Sequence, residues 1–184
     1  MEALQILVKN MEKKDIRKQV FAQRAKTSEA FVQQQSSLIA GKIFALPQFQ
    51  DASCIYVYMD YNKEASTRPI IEEAWRLGKK VAAPKVFGDD VAPGYFNIPE
   101  PDETRNLKEA ADETALLLVP GVAFDKDRHR CGYGKGFYDR YLSRHTQHAT
   151  VAMALDFQIV ETVPSDVYDI CPQMLITPTM IYGK

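Results

Sequence analysis

The run ALLLVP, residues 115–120, is apolar at every position. A strand with one wet face alternates apolar and polar residues. A strand buried on both faces need not, and such burial belongs to parallel sheets covered by helices. The preceding segment points the same way. CIYVYM (Cys54 to Met59) is rich in aromatic and β-branched residues and reads as a buried strand. Thr67 can cap a helix with Pro69 in its first turn. That helix runs through Ile70, Ile71, Ala74, Trp75 and Leu77, and Gly78 stops it. KKVAAP (Lys79 to Pro84) is the next strand. Strand, helix and strand within about 30 residues form a βαβ unit, whose strands run parallel.

Two helices are expected earlier, between about Met11 and Ala45. Ile16, Val20, Phe21 and Ala25 mark the inner face of the first. Thr27 or Ser28 caps the second, with Phe31, Leu38, Ile39, Ile43 and Leu46 facing inward and Pro47 marking its end. Lys85 to Asn106 reads as a long loop, a length that is often functional. A helix follows the glycines near residue 134, through Tyr138 and Leu142. TVAMAL (Thr150 to Leu155) and MLITPTMIY (Met174 to Tyr182) supply the last strands. The expected fold class is α/β, a mainly parallel sheet between helices, in one domain spanning residues 1–184.

Composition narrows the function. Hydrophobic residues make up 46% and charged residues 26%, ordinary for a soluble globular chain. A net charge of -1 provides no overall field for nucleic acid or membrane, so an anion site has to be local. Cys54, Cys131 and Cys171 are few and scattered, which suits a reducing cytoplasm and argues against disulfides or a zinc site. No apolar run approaches the roughly 18 residues of a membrane span. The N-terminus reads as the start of the first helix, without a signal-peptide cleavage site.

RCGYGKGFYDRYL, residues 130–142, is the segment with chemical potential. Ligands in α/β sheets sit outside the carboxyl ends of strands, and this segment follows the most buried one. Gly132, Gly134 and Gly136 allow successive amides to form an anion nest ahead of a helix N-terminus. Arg130 and Lys135 add positive charge. Asp139 is either a magnesium ligand or a helix-start carboxylate favoured by the dipole. Alternating glycines also occur in plain turns, and the spacing is neither that of a Walker loop nor GxGxxG.

With VPGVAFD (Val119 to Asp125) before it, this segment resembles the signature of the 5-formyltetrahydrofolate cyclo-ligase family, PG-x-AFD followed by R-L-G-x-G-x-G-Y-Y-D. KKDIR (Lys13 to Arg17), KEAST (Lys63 to Thr67), FNIPEP (Phe96 to Pro101) and YDICPQMLITP (Tyr168 to Pro178) resemble the family's other motifs, in family order. The resemblance implies a NagB/RpiA/CoA-transferase-like fold. It implies a cytoplasmic enzyme that uses ATP as co-substrate and Mg²⁺ to turn 5-formyltetrahydrofolate into 5,10-methenyltetrahydrofolate, ADP and phosphate. The formyl oxygen is phosphorylated, N10 attacks, and phosphate leaves. Such chemistry depends on positioning and charge neutralisation.

Roles follow from the matching positions. Lys13, Arg17 and the run Arg130, Cys131, Gly132, Tyr133, Gly134, Lys135, Gly136, Phe137 and Tyr138 match the ATP-binding residues. Arg130, Lys135 and Tyr138 are the catalytic candidates. Met59, Glu64, Phe96 and residues 133–137 match the folate site, where the Glu64 carboxylate can accept two hydrogen bonds from the pterin edge. Asp139 and Asp169 match the metal ligands. The expected partner is the folate alone, possible polyglutamylation included, with no nucleic acid or membrane, and the expected form is a monomer or weak dimer. Three departures stand out: Cys131 for Leu, Phe137 for Tyr, and Gln173 where many members carry Asp. Gln173 and the loosened loop would suit an alternative, a paralogue that binds nucleotide and regulates without cyclo-ligase activity. An RNA- or anion-binding module, suggested by Arg128, Arg130 and Lys135, lacks the basic stripe it needs.

Overall fold

The structure is a computed structural model that describes residues 11–83, 112 and 114–183. The long segment from 85 to 106, with Phe96 in it, lies outside the described residues.

Six strands form one sheet in the order β2-β1-β3-β6-β7-β8. They are β1 (Cys54–Tyr56), β2 (Lys80–Ala82), β3 (Leu116–Val119), β6 (Ala149–Met153), β7 (Met174–Ile176) and β8 (Ile181–Gly183). All neighbours pair in parallel except β7 with β8, which form an antiparallel hairpin. The uniformly apolar β3 sits inside the sheet between β1 and β6, with all four residues buried. Ile55, Leu116, Leu118, Val151, Met153 and Ile176 share one face with α2 (Glu29–Phe44) and α4 (Arg68–Arg76). Tyr56, Leu117, Val119, Ala152 and Leu175 share the other with Leu142 of α5 (Phe137–Arg144). Period-two alternation therefore supplies two cores from one strand set, and the α/β expectation holds.

The chain moves outward from β1 to β2, then returns to the other side of β1 to lay down β3 and continues through β6 to β7. The crossovers diverge at the β1/β3 pair, which opens a crevice at the strands' carboxyl ends. A two-stranded hairpin, β4 (Ala123–Phe124) and β5 (Arg130–Cys131), rises there after β3. Helix α1 (Lys13–Lys26) covers it, burying Ile16 and Val20 against Val122, Ala123 and Cys131.

Several helix details differ from the expectation. On α1 the third buried rung after Ile16 and Val20 is Arg24, and Ala25 is exposed. On α2 the buried stripe is Val32, Ser36, Ile39, Ala40 and Ile43, while Phe31 and Leu38 face solvent. Hydrophobicity alone placed the stripe wrongly because Ser36, which is buried, donates to the Val32 carbonyl at 2.6 Å and accepts from the Ser66 amide at 2.8 Å. Ser28 caps α2 by accepting from the Phe31 amide, whereas Thr27 closes α1. Pro47 does not end α2; it opens a separate short helix, α3 (Pro47–Asp51). Its fixed φ suits the first turn. Thr67 is the N-cap of α4, but its hydroxyl donates to the Tyr58 carbonyl and not to its own helix.

The two α2 assignments predict opposite mutational results. Ile39→Ala, at a fully buried site, should lower unfolding free energy by about 2–5 kcal/mol in urea titration. Leu38→Ala, 51% exposed, should stay within about 0.5 kcal/mol. Comparable losses from both would mean that α2 is rotated from the position described.

Candidate active site

The site grows from the crevice between β1 and β3. After β1 the chain passes Met59 and turns back through Asn62 and Lys63, both with positive φ (48° and 57°). This turn delivers Glu64 to a buried position. Its Oε2 accepts from the Tyr61 amide at 3.1 Å, and its Oε1 accepts from the Tyr133 hydroxyl at 2.9 Å. The Arg24 guanidinium lies 3.9 Å from Oε1. Burial pushes the Glu64 pKa up to about 7, against the Arg24 charge and the hydrogen bonds from Tyr61 and Tyr133.

On the opposite wall the glycine loop runs between β5 and α5. Gly134 and Gly136 adopt φ of 98° and 65°, a region that penalises side chains, and Gly136 is the N-cap of α5. Arg17 Nε donates to the Gly132 carbonyl at 2.7 Å, and Arg140 donates to the Lys135 carbonyl at 2.9 Å. The loop is thus held from both sides through its carbonyls. A cleft of about 290 Å³ lies against it, lined by Lys13, Arg17, Arg130, Gly132, Tyr133, Gly134, Lys135, Gly136, Phe137, Asp139 and Asp169. Four cations and two carboxylates give the cleft a local positive balance within a chain of net charge -1. Nine of the eleven proposed ATP-binding positions and both proposed metal ligands therefore share one cleft.

Two ion pairs cross it. Lys13 Nζ meets Asp169 Oδ2 at 2.5 Å, and Arg130 Nη2 meets Asp139 Oδ1 at 2.7 Å. Burial works against the Asp169 carboxylate, but the bonds from Lys13 and the Asp166 amide hold its pKa below the usual value. The Ile170 amide also donates to Asp139. Arg130 is only 8% exposed and lies over the Tyr138 ring. Asp139 draws this loop cation inward, away from solvent. Lys135 is exposed.

The other predicted residues stand apart from the cleft lining. The Cys131 side chain is buried against α1, with Sγ 3.5 Å from the Lys13 carbonyl. Tyr138 lies beneath Arg130, and burial raises its pKa. Glu64 sits behind Tyr133, and half-buried Met59 is nearby in the chain. Gln173 is elsewhere: its Oε1 accepts from the Thr150 backbone amide at 3.2 Å and its own backbone amide donates to Thr150 Oγ1 at 2.8 Å, clasping the starts of β6 and β7.

Two buried residues escaped the sequence reading. Arg24 completes the Ile16, Val20, Arg24 stripe at four-residue spacing, a signal obscured by its charge. Asp125 accepts from the amides of Asp127, His129 and Val163 and contacts His129 Nδ1 at 2.9 Å. The group Asp125, Asp127 and His129 is close enough for a metal, but the Asp125 oxygens are committed to shaping the β4–β5 turn.

An anion cradle at the switch point of a parallel sheet, beside a buried acid, defines an α/β protein of the ligand-binding crevice type. Residues 9–178 match the 5-formyltetrahydrofolate cyclo-ligase family, and the chain belongs to it. It is 29% identical to a probable 5-formyltetrahydrofolate cyclo-ligase of Schizosaccharomyces pombe, covering 94% of this chain and 98% of that protein. It is 31% identical to the mouse 5-formyltetrahydrofolate cyclo-ligase over 73% of this chain and 78% of the mouse protein. The 5,10-methenyltetrahydrofolate synthetase of Aquifex aeolicus superposes with a TM-score of 0.77 at 30% identity, covering 94% of this chain and 93% of the other. Among the described residues, no helix is long and apolar enough to cross a membrane.

Glu64 sets a pH signature. It titrates near 7 when folded and near its ordinary 4.5 when unfolded. The folded state then binds more protons between those values, so stability falls as pH rises through the window, by about 3 kcal/mol from this group. Asp169, with its lowered pKa, acts in the opposite sense and only at more acid pH. Glu64→Gln should flatten the dependence of the urea midpoint on pH between about 4.5 and 7. An unchanged slope would show that Glu64 is ionised throughout.

Proposed function

We propose that this chain is a cytoplasmic enzyme, acting as a monomer or weak dimer through one domain, that converts 5-formyltetrahydrofolate and ATP to 5,10-methenyltetrahydrofolate, ADP and phosphate. The observation that carries this reading is the arrangement at the switch point. A glycine cradle flanked by Lys13, Arg17, Arg130 and Lys135 is joined through Tyr133 to a buried carboxylate.

The chemistry explains why both halves must adjoin. A formamide is a weak electrophile and its oxygen leaves poorly. Transfer of the γ-phosphoryl group to that oxygen creates a leaving group and an electrophilic carbon. N10 attacks that carbon, the ring closes, and the C–O bond breaks as phosphate departs. The loop amides and Lys135 stabilise charge on the transferring phosphoryl oxygens. Arg17, anchored on the Gly132 carbonyl, holds the cradle in shape. Glu64, when ionised, accepts the two donors of the pterin edge and orients N5 and its formyl group toward the loop.

Asp139 and Asp169 fit a hard divalent ion. Both line the cleft, and their hydrogen bonds among the described residues fall on Asp139 Oδ1 and Asp169 Oδ2, leaving one oxygen on each. Magnesium bound there would neutralise charge between the terminal phosphates.

The regulatory-paralogue alternative is not favoured: the family match and the named relatives are cyclo-ligases, and Gln173 bonds to Thr150 without lining the cleft.

The direct test follows methenyl product by absorbance, with 5-formyltetrahydrofolate and Mg-ATP. Wild-type protein should form it only when ATP is present, and failure to do so ends the proposal. Lys135→Ala should lower kcat by about 10²-fold with an unchanged melting temperature. Arg130→Ala should also lower stability, because it leaves Asp139 without its buried partner.

A further inference from the structure

Arg24 lies outside the set of residues assigned so far, yet it is fully buried, at 0% exposure. Its side chain is ringed by oxygens. Nη1 donates to the Tyr133 hydroxyl at 2.8 Å and the Asn62 carbonyl at 3.2 Å. Nη2 donates to the Gly121 carbonyl at 3.1 Å and lies 3.9 Å from Glu64 Oε1. Nε is buried with no hydrogen-bond partner among the described residues. The Tyr133 hydroxyl passes the contact on to Glu64 Oε1 at 2.9 Å.

These partners belong to three segments: the turn after β1, the exit of β3, and the glycine loop. Packing alone does not explain the residue. A Leu or Met would complete the Ile16–Val20 stripe without the desolvation penalty of a buried guanidinium. The cation is useful at this point because it ties both sides of the crevice together and opposes the burial of an acid.

We infer that Arg24 is a positioning residue that joins the glycine loop to the pterin carboxylate, fixing Tyr133 against Glu64 and keeping Glu64 in its ionised, doubly accepting form. The assignment of the ligand rests on the proposed function; the linkage of Arg24 to Glu64 does not.

The groups facing Glu64 make Arg24 decisive. They are Arg24 from α1, Tyr58 beyond β1, Asp60 and the Tyr61 amide from the turn, Tyr133 from the glycine loop, and Tyr138 from α5. Among the described residues, Arg24 is the one cation facing Glu64. Without it, desolvation and Asp60 both favour the protonated acid. A neutral carboxyl has a hydrogen where the pterin edge needs a second acceptor.

The experiment measures steady-state KM for 5-formyltetrahydrofolate and for ATP between pH 6 and 9 in the full chain. Arg24→Gln should raise the folate KM about tenfold at pH 7, equivalent to ~1.4 kcal/mol. The ATP KM should change by less than about twofold. The pH at which folate affinity falls should move upward, with partial recovery near pH 9. Arg24→Lys should restore part of the affinity and move the inflection back. Tyr133→Phe, which keeps the ring in place and cuts the same link, guards against a folding defect; it should weaken folate more than ATP. Adding Arg24→Gln to Glu64→Gln should cost little more in folate KM, because the first acts through the second.

Equal losses for both substrates with an unmoved inflection would overturn the inference, as would fully additive effects or a silent Tyr133→Phe. If the wild type makes no methenyl product, the functional reading fails separately. The linkage is then read without ligand, from the infrared carboxylate band of Glu64. Its midpoint should rise in Arg24→Gln, and an unmoved midpoint would sink the inference.

Discussion

Burial of β3 on both faces is the constraint from which the rest of the molecule follows. Leu116, Leu117, Leu118 and Val119 are all buried, with both faces of the strand covered and its neighbours running parallel, the arrangement in which such burial is usual. With β1 and β6 beside it, the crossovers diverge between β1 and β3. That divergence opens the crevice, and the segments that leave these two strands carry Glu64 and the glycine loop. The location of the site is therefore a consequence of how the sheet is covered, before any chemistry is considered.

Helix α1 then links packing to electrostatics. Its buried rungs, Ile16 and Val20, fix it on the β4–β5 hairpin. Lys13, Arg17 and Arg24 project from the same short helix to three different parts of the site: Asp169, the Gly132 carbonyl, and the Tyr133–Glu64 pair. A shift of α1 along the hairpin would move all three together. This gives the hydrophobic contacts under α1 a functional consequence that their distance from the glycine loop conceals.

Strand order was not readable from the chain, but strand identity largely was. The apolar runs at 54–59, 115–120 and 150–155 carry their own evidence, because full burial suppresses alternation. The helix faces were less legible. Ser36 and Arg24 are buried through hydrogen bonds rather than hydrophobicity, so a pattern built on apolar residues passes over them and recruits Leu38 or Ala25 instead. At the site, the glycines, Lys13, Arg17, Asp139 and Asp169 were accessible through motif resemblance. Arg130 was recognised but its burial was not, since only the fold places Asp139 within reach of it. Gln173 is a similar case, where a difference at a motif position suggested a regulatory paralogue. Its partner, Thr150, is distant in sequence and near only because β6 and β7 pair in parallel.

The ion pairs across the cleft explain how one set of side chains can serve a nucleotide and a metal on the proposed reading. Lys13 and Arg130 neutralise Asp169 and Asp139 in the structure described. A triphosphate alone would draw the cations away and leave two partly buried carboxylates unpaired. A divalent ion alone would take the carboxylates and leave the cations facing one another across the cradle. Each ligand by itself breaks pairs without replacing them, and such partly buried charges are costly to strand. Together they exchange partners: phosphate oxygens for the cations, metal for the acids. On the proposed reading, this exchange makes the metal–nucleotide complex a better ligand than either component alone.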